Sequence, residues 1–118
     1  MVYPCNTVAC DQVPVVPPSQ FAIEGDKASW HPTQVYQVAT SVGIKTCVDF
    51  PSDIGSTSLP ALLALADDGD WFSGPTKTVV NVRFVNRRFI VDEALSRFVL
   101  VDGVGSSQRS VEITRKGL

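Results

Sequence analysis

Histidine is all but missing: His31 is the single one in 118 residues, alongside three cysteines and one methionine. One imidazole cannot complete a Cys₂His₂ zinc set, and Cys5 and Cys10, with four residues between them, match no strong zinc spacing. An odd, low cysteine count argues against a secreted scaffold framed by disulfides. Cys5 and Cys10 remain open to bridging each other, against the pull of a reducing compartment. No apolar run approaches the ~18 residues needed to cross a bilayer. The opening MVYPCNTVACDQ lacks the basic flank and apolar core of a secretory signal. A cytoplasmic protein without a membrane contact is the expectation. Nucleotide motifs are absent as well: GVGSS has glycines but neither the lysine nor the spacing of a phosphate loop. Neither a metal nor a cofactor is expected.

What the chain does have is a core. At 44% hydrophobic and 19% charged residues it has the composition of a globular protein, and its length suits one domain. The charge is unevenly spread. Residues 1–76 set Lys27 and Lys45 against eight acids, whereas residues 77–118 set eight bases against four. Such polarity can face a polyanion or an acidic partner, or let one half of a domain dock on the other.

Residues 1–20 read as an extended, Pro-rich arm, because Pro4, Pro14, Pro17 and Pro18 fix φ and remove donors; Val13, Val15 and Val16 could pair at a sheet edge. Residues 21–118 read as a single α+β domain. Phe21 to Glu24 is a short strand. WHPTQVYQVATSVG predicts a helix, with Pro32 in the first turn, Val35, Val38, Ala39 and Val42 on one face, and Gly43 as cap. IKTCVDF then alternates as a strand, pointing Lys45, Cys47 and Asp49 one way and Ile44, Thr46, Val48 and Phe50 the other. Ser58 caps a second expected helix over LPALLALADDG, closed by Gly69. That segment is apolar on every side, which implies full burial or a shared face. The expectation is a homodimer with Leu59, Leu62, Leu63 and Leu65 at its interface.

From Thr76 the pattern is β. TKTVVNVRFV places Val80, Val82 and Phe84 on one face, Asn86-Arg87 turns the chain, and RFIVD, FVLVDG and QRSVEITRK follow. The predicted fold is α+β: an antiparallel sheet of about four to six strands, including a C-terminal meander of four, with two helices.

Chemistry-bearing clusters are few. His31 with a cysteine could form a thiol-hydrolase pair, which leaves a small cytoplasmic enzyme as one alternative; the blander reading is a helix-cap residue on Trp30. DDGDW, Asp67 to Trp71, could hold a cation but lacks the spacing and closing Glu of an EF-hand, so an acidic loop is the default. Asp92 and Glu93 are adjacent and would face opposite ways on a strand. In RFVNRRF the arginines could grip phosphates while Phe84 or Phe89 stacks on bases, or the phenylalanines are core and the arginines a solvated rim. Arg83, Arg87, Arg88 and Arg97 are therefore the candidates for contacting RNA or a partner, and a stand-alone nucleic-acid-binding module is the other alternative.

Taken from MVYPCNTVAC through the acidic middle to RFVNRRFIVDEALSRF, the chain resembles the small inner-capsid protein of cystoviruses, phages with segmented double-stranded RNA genomes. The resemblance implies a non-enzymatic accessory of a viral polymerase complex that assists assembly and RNA packaging. Its implied partners are other capsid or polymerase-complex proteins and RNA, and its implied location is the virion and the host cytoplasm. The stop at RKGL, just after the last strand, suits a structured core with a tail removed.

Overall fold

In the computed structural model, which describes residues 9–52, 54, 59–66, 76–103 and 105–116, nine strands form two antiparallel sheets. They are β1 (Phe21–Gly25), β2 (Gln34–Thr40), β3 (Gly43–Asp49), β4 (Ala61–Ala66), β5 (Thr76–Val79), β6 (Val82–Val85), β7 (Arg88–Val91), β8 (Arg97–Asp102) and β9 (Arg109–Arg115). One sheet has the order β1-β9-β8-β4-β5, the other β2-β3-β7-β6. The core lies between them. Phe21, Leu62, Phe98, Leu100, Val111 and Ile113 point in from the five-stranded sheet, and Val35, Val48, Phe89 and Val91 answer from the four-stranded one. Phe89 anchors that layer, edge-on to Phe50 at 4.8 Å and to Phe84 at 5.9 Å between ring centroids.

The α+β expectation is corrected to a β-sandwich: among the described residues the helical pieces are three-residue 3₁₀ turns. Both expected helices are strands. In WHPTQVYQVATSVG, Val35, Tyr36, Gln37 and Val38 are all buried. The sheet covers one face of β2 and the N-terminal arm the other, so the residues carry no alternation and the valines fall into helical spacing by chance. In LPALLALADDG, β4 sits between β8 and β5. Leu62 and Ala64 face the core while Leu63 and Leu65 face outward, so tertiary pairing overrides the helix preference of Leu and Ala. The expected cap Ser58 and residues 67–69 lie outside the described residues.

The C-terminal meander is also corrected. TKTVVNVRFV is broken at Val80-Asn81, where the chain leaves β5 in one sheet and enters β6 in the other. The expected face holds across the break, since Val80, Val82 and Phe84 all pack on the core. The β6–β7 and β8–β9 hairpins then lie in opposite sheets. Asn86 and Arg87 both take positive φ (52° and 61°), the geometry of a type I′ turn, which follows the right-handed twist of its strands.

The arm crosses the molecule. A 3₁₀ turn at Ala9–Asp11 lies on the outer face of the four-stranded sheet. Val16 bridges Gln37 at the β2 edge and is buried in the core, and Phe21 then opens β1 in the other sheet. Gly25 lets β1 approach β9: a Cβ there would stand 2.3 Å from the Ser110 carbonyl oxygen.

Candidate functional site

The outer face of the four-stranded sheet holds the densest set of interacting side chains. Register places Tyr36 beside Cys47 and Cys47 beside Ile90, with Gln34, Asp49 and Arg88 in the adjacent row. Lys45, Cys47 and Asp49 share this face, as the alternation in IKTCVDF requires. Cys10 descends from the arm and is bonded to Cys47, with the Cα atoms 6.1 Å apart. Around the bridge, Tyr36, Val38 and Ile90 form a second apolar cluster, closed at its rim by Val85. The Cys5–Cys10 pairing that the sequence left open does not form in the folded chain, since Cys10 is paired with Cys47; Cys5 lies outside the described residues.

Beside the disulfide the polar groups converge on Asp49. Its Oδ1 accepts from Arg88 Nε at 2.9 Å and from the Tyr36 hydroxyl at 3.2 Å, and its Oδ2 accepts from Gln34 Nε2 at 2.8 Å. Arg88 reaches back to the arm through Nη1, 3.2 Å from Asp11 Oδ1. Charge-assisted bonds shared in this way fix the arm over the sheet. Burial, reinforced by the neighbouring Asp49 charge, pushes the Tyr36 phenol up to about 12, so it donates a proton to Asp49 and does not release it. Burial works against the Arg88 charge, but its bond to Asp49 and that carboxylate's charge outweigh it, and its pKa rises. A retained phenolic proton, a permanent guanidinium and a bridged pair of sulfurs make neither a base nor a nucleophile.

At the other end of the face, Asp92 accepts from Lys45 and, at 3.0 Å, from Arg83. The bond from Lys45, with the Arg83 charge in support, holds its carboxyl below the usual range.

The four arginines of interest do not converge. Arg83 and Arg88 lie on this face, each engaged with a carboxylate. Arg97 projects from the outer face of the other sheet and pairs with Glu112 at 2.8 Å. Arg87 is exposed at the hairpin tip, and among the described residues it is the one of the four without a carboxylate partner. The leucines divide as well: Leu59 and Leu62 pack on the core, while Leu63 and Leu65 are half-buried on the outer side of β4. His31 Nδ1 is bonded to the Asp26 carbonyl at 3.0 Å, and neither Cys10 nor Cys47 offers it a thiol. DDGDW lies outside the described residues. Among the described residues no three His, Cys, Asp or Glu side chains stand together as a metal site.

Fold and face together define a β-sandwich whose N-terminal arm is stapled across one sheet. The chain matches the model of the CagX family, conjugal transfer proteins, over residues 6–116. It is 35% identical over 97 residues to a probable conjugal transfer protein TrbG of Sinorhizobium fredii (strain NBRC 101917 / NGR234), an alignment covering 82% of this chain and 32% of that protein. The chain belongs to the CagX family of conjugal transfer proteins, and it spans about a third of the length of this relative.

Family membership overturns the resemblance to cystovirus inner-capsid proteins, and with it the viral function, RNA packaging, and the virion and host-cytoplasm location. That resemblance followed a general run of charge and aromatic residues with no motif to anchor it. The capsid and polymerase-complex partners lose the argument that suggested them.

Proposed function

We propose that this chain is a non-enzymatic β-sandwich module of a bacterial conjugal transfer apparatus, working on the oxidising side of the cell envelope through protein contacts. The observation that carries the reading is the Cys10–Cys47 disulfide in a member of a conjugal transfer family. Disulfides persist in oxidising compartments, the bacterial periplasm among them, and are rare in the reducing cytosol. The non-enzymatic part rests on the side chains gathered at the site, which lock the arm and offer no proton or electron pair to a substrate. Mating tests it with the protein in its full natural length. Deleting this module abolishes transfer, whereas His31→Ala and Tyr36→Phe leave the frequency near wild type. Loss of transfer in a correctly folded His31→Ala variant would overturn the non-enzymatic reading.

A further inference from the structure

The stapling disulfide skips a cysteine. From the N-terminus the sequence carries Cys5, Cys10 and Cys47, and the fold pairs the second with the third. Cys5 and Cys10 have four residues between them, whereas Cys10 and Cys47 are 37 positions apart. The chance that two points of an unfolded chain meet falls with their separation to the power of about 3/2, which favours the Cys5–Cys10 loop by roughly 20-fold. Order of synthesis favours it too, since both of its thiols are made before Cys47. Folding then seals whichever pairing is present. Cys47 lies on β3 between Tyr36 of β2 and Ile90 of β7, and it is 0% exposed, with Cys10 at 5%. Tyr36, Val38 and Ile90 pack around the bridge. Thiol–disulfide exchange needs access of a thiolate to a sulfur, so the pairing has to be set before β2, β3 and β7 close over Cys47.

We propose that this chain is a substrate of a thiol–disulfide isomerase: oxidation first joins Cys5 to Cys10, and exchange converts that bridge into Cys10–Cys47. Where the exchange takes place rests on the oxidising compartment proposed above; its chemistry does not. A disulfide-bearing dithiol oxidase takes two electrons and two protons from the Cys5 and Cys10 thiols and is itself reduced to the dithiol. The isomerase thiolate then attacks the Cys10 sulfur, forming a mixed disulfide and expelling Cys5 as a thiolate. The Cys47 thiolate attacks the same Cys10 sulfur in turn, forming the native bridge and releasing the isomerase thiolate. One disulfide is consumed and one is formed, so the exchange needs no further oxidant.

Oxidative refolding of the full chain tests this. The reduced, urea-unfolded protein is diluted into buffer with a dithiol oxidase alone, and acid-quenched samples are alkylated and mapped by mass spectrometry. Cys5–Cys10 should lead the early one-bridge species by about 10-fold or more, and reduced isomerase added afterwards should convert it to Cys10–Cys47. Cys5→Ser removes the competing loop, so it should reach Cys10–Cys47 with the oxidase alone. Wild-type protein that forms Cys10–Cys47 with the oxidase alone, as fast as Cys5→Ser and with no Cys5–Cys10 species before it, overturns the proposal. So does a Cys5–Cys10 species that the isomerase leaves unchanged. Free Cys10 and Cys47 thiols in living cells would instead overturn the oxidising compartment and leave the refolding result standing.

Discussion

Cys10 and Cys47, 37 positions apart in the chain, are joined on the outer face of the four-stranded sheet, with Arg88 tying Asp11 to Asp49 beside them. The bridge closes a loop that includes the β2 edge. Replacing both cysteines by alanine should therefore cost about 2–4 kcal/mol, because the unfolded chain regains the freedom the loop removed. Urea unfolding without reductant measures it. Hydrogen exchange on the same variant should show lost protection at Val16 and Gln37, whose backbone groups bond across the arm junction. Unchanged stability would mean that the ion pairs and the Val16 bridge hold the arm alone.

A single buried hydroxyl organises the far side of that sheet. Thr46 Oγ1 accepts from Gln37 Nε2 at 3.1 Å and from the Leu95 amide at 3.0 Å, and it donates to the Glu93 carbonyl at 2.7 Å. Thr46→Val keeps the shape and removes all three bonds, so the expected loss is about 2–3 kcal/mol, from buried groups left unpaired. A loss under 1 kcal/mol, on the order of a single neutral bond, would show that the 93–95 segment finds other partners.

The hairpin turn carries strain that one substitution relieves. Arg87 sits at φ 61°, where a Cβ is unfavourable by ~1–2 kcal/mol. Arg87→Gly removes that strain but gives the unfolded chain more freedom, so the net gain expected is about 0.5–1 kcal/mol. Arg87→Val should instead destabilise. Urea midpoints at unchanged slope report both, and equal midpoints for the two variants would contradict the type I′ geometry.

Tyr36 sets a pH limit. Its phenol is neutral in both states below the ordinary value of 10.0, where its stabilising effect is fully present. As pH rises from there to about 12, the unfolded chain loses a proton that the folded chain keeps, and stability falls with pH. Tyr36→Phe should flatten stability over that interval. A wild-type curve already flat there would place the phenol in water.

Much of the β half could be read in the chain. The strand IKTCVDF, the inward face of Val80, Val82 and Phe84, and the turn at Asn86-Arg87 followed from alternation and turn chemistry, which are local. The helices failed for a non-local reason. Val35 to Val38 are buried on both sides only because the arm returns over β2, and no spacing within the segment encodes that return. Leu62 to Leu65 belong to a strand because β5 and β8 flank them. At the site, sharing of one strand face by Cys47 and Asp49 was legible. The identity of their partners was not, because Cys10, Asp11, Tyr36 and Arg88 arrive from three other segments. The available signal was Cys47 itself, an apolar residue on the polar side of an alternating strand.

The central claim, a module stapled in an oxidising compartment, is tested most directly by trapping thiols in living donor cells. Acid quenching followed by alkylation with a bulky maleimide should leave Cys10 and Cys47 unmodified until reductant is added. Modification of both before reduction would return the chain to a reducing compartment and contradict the account.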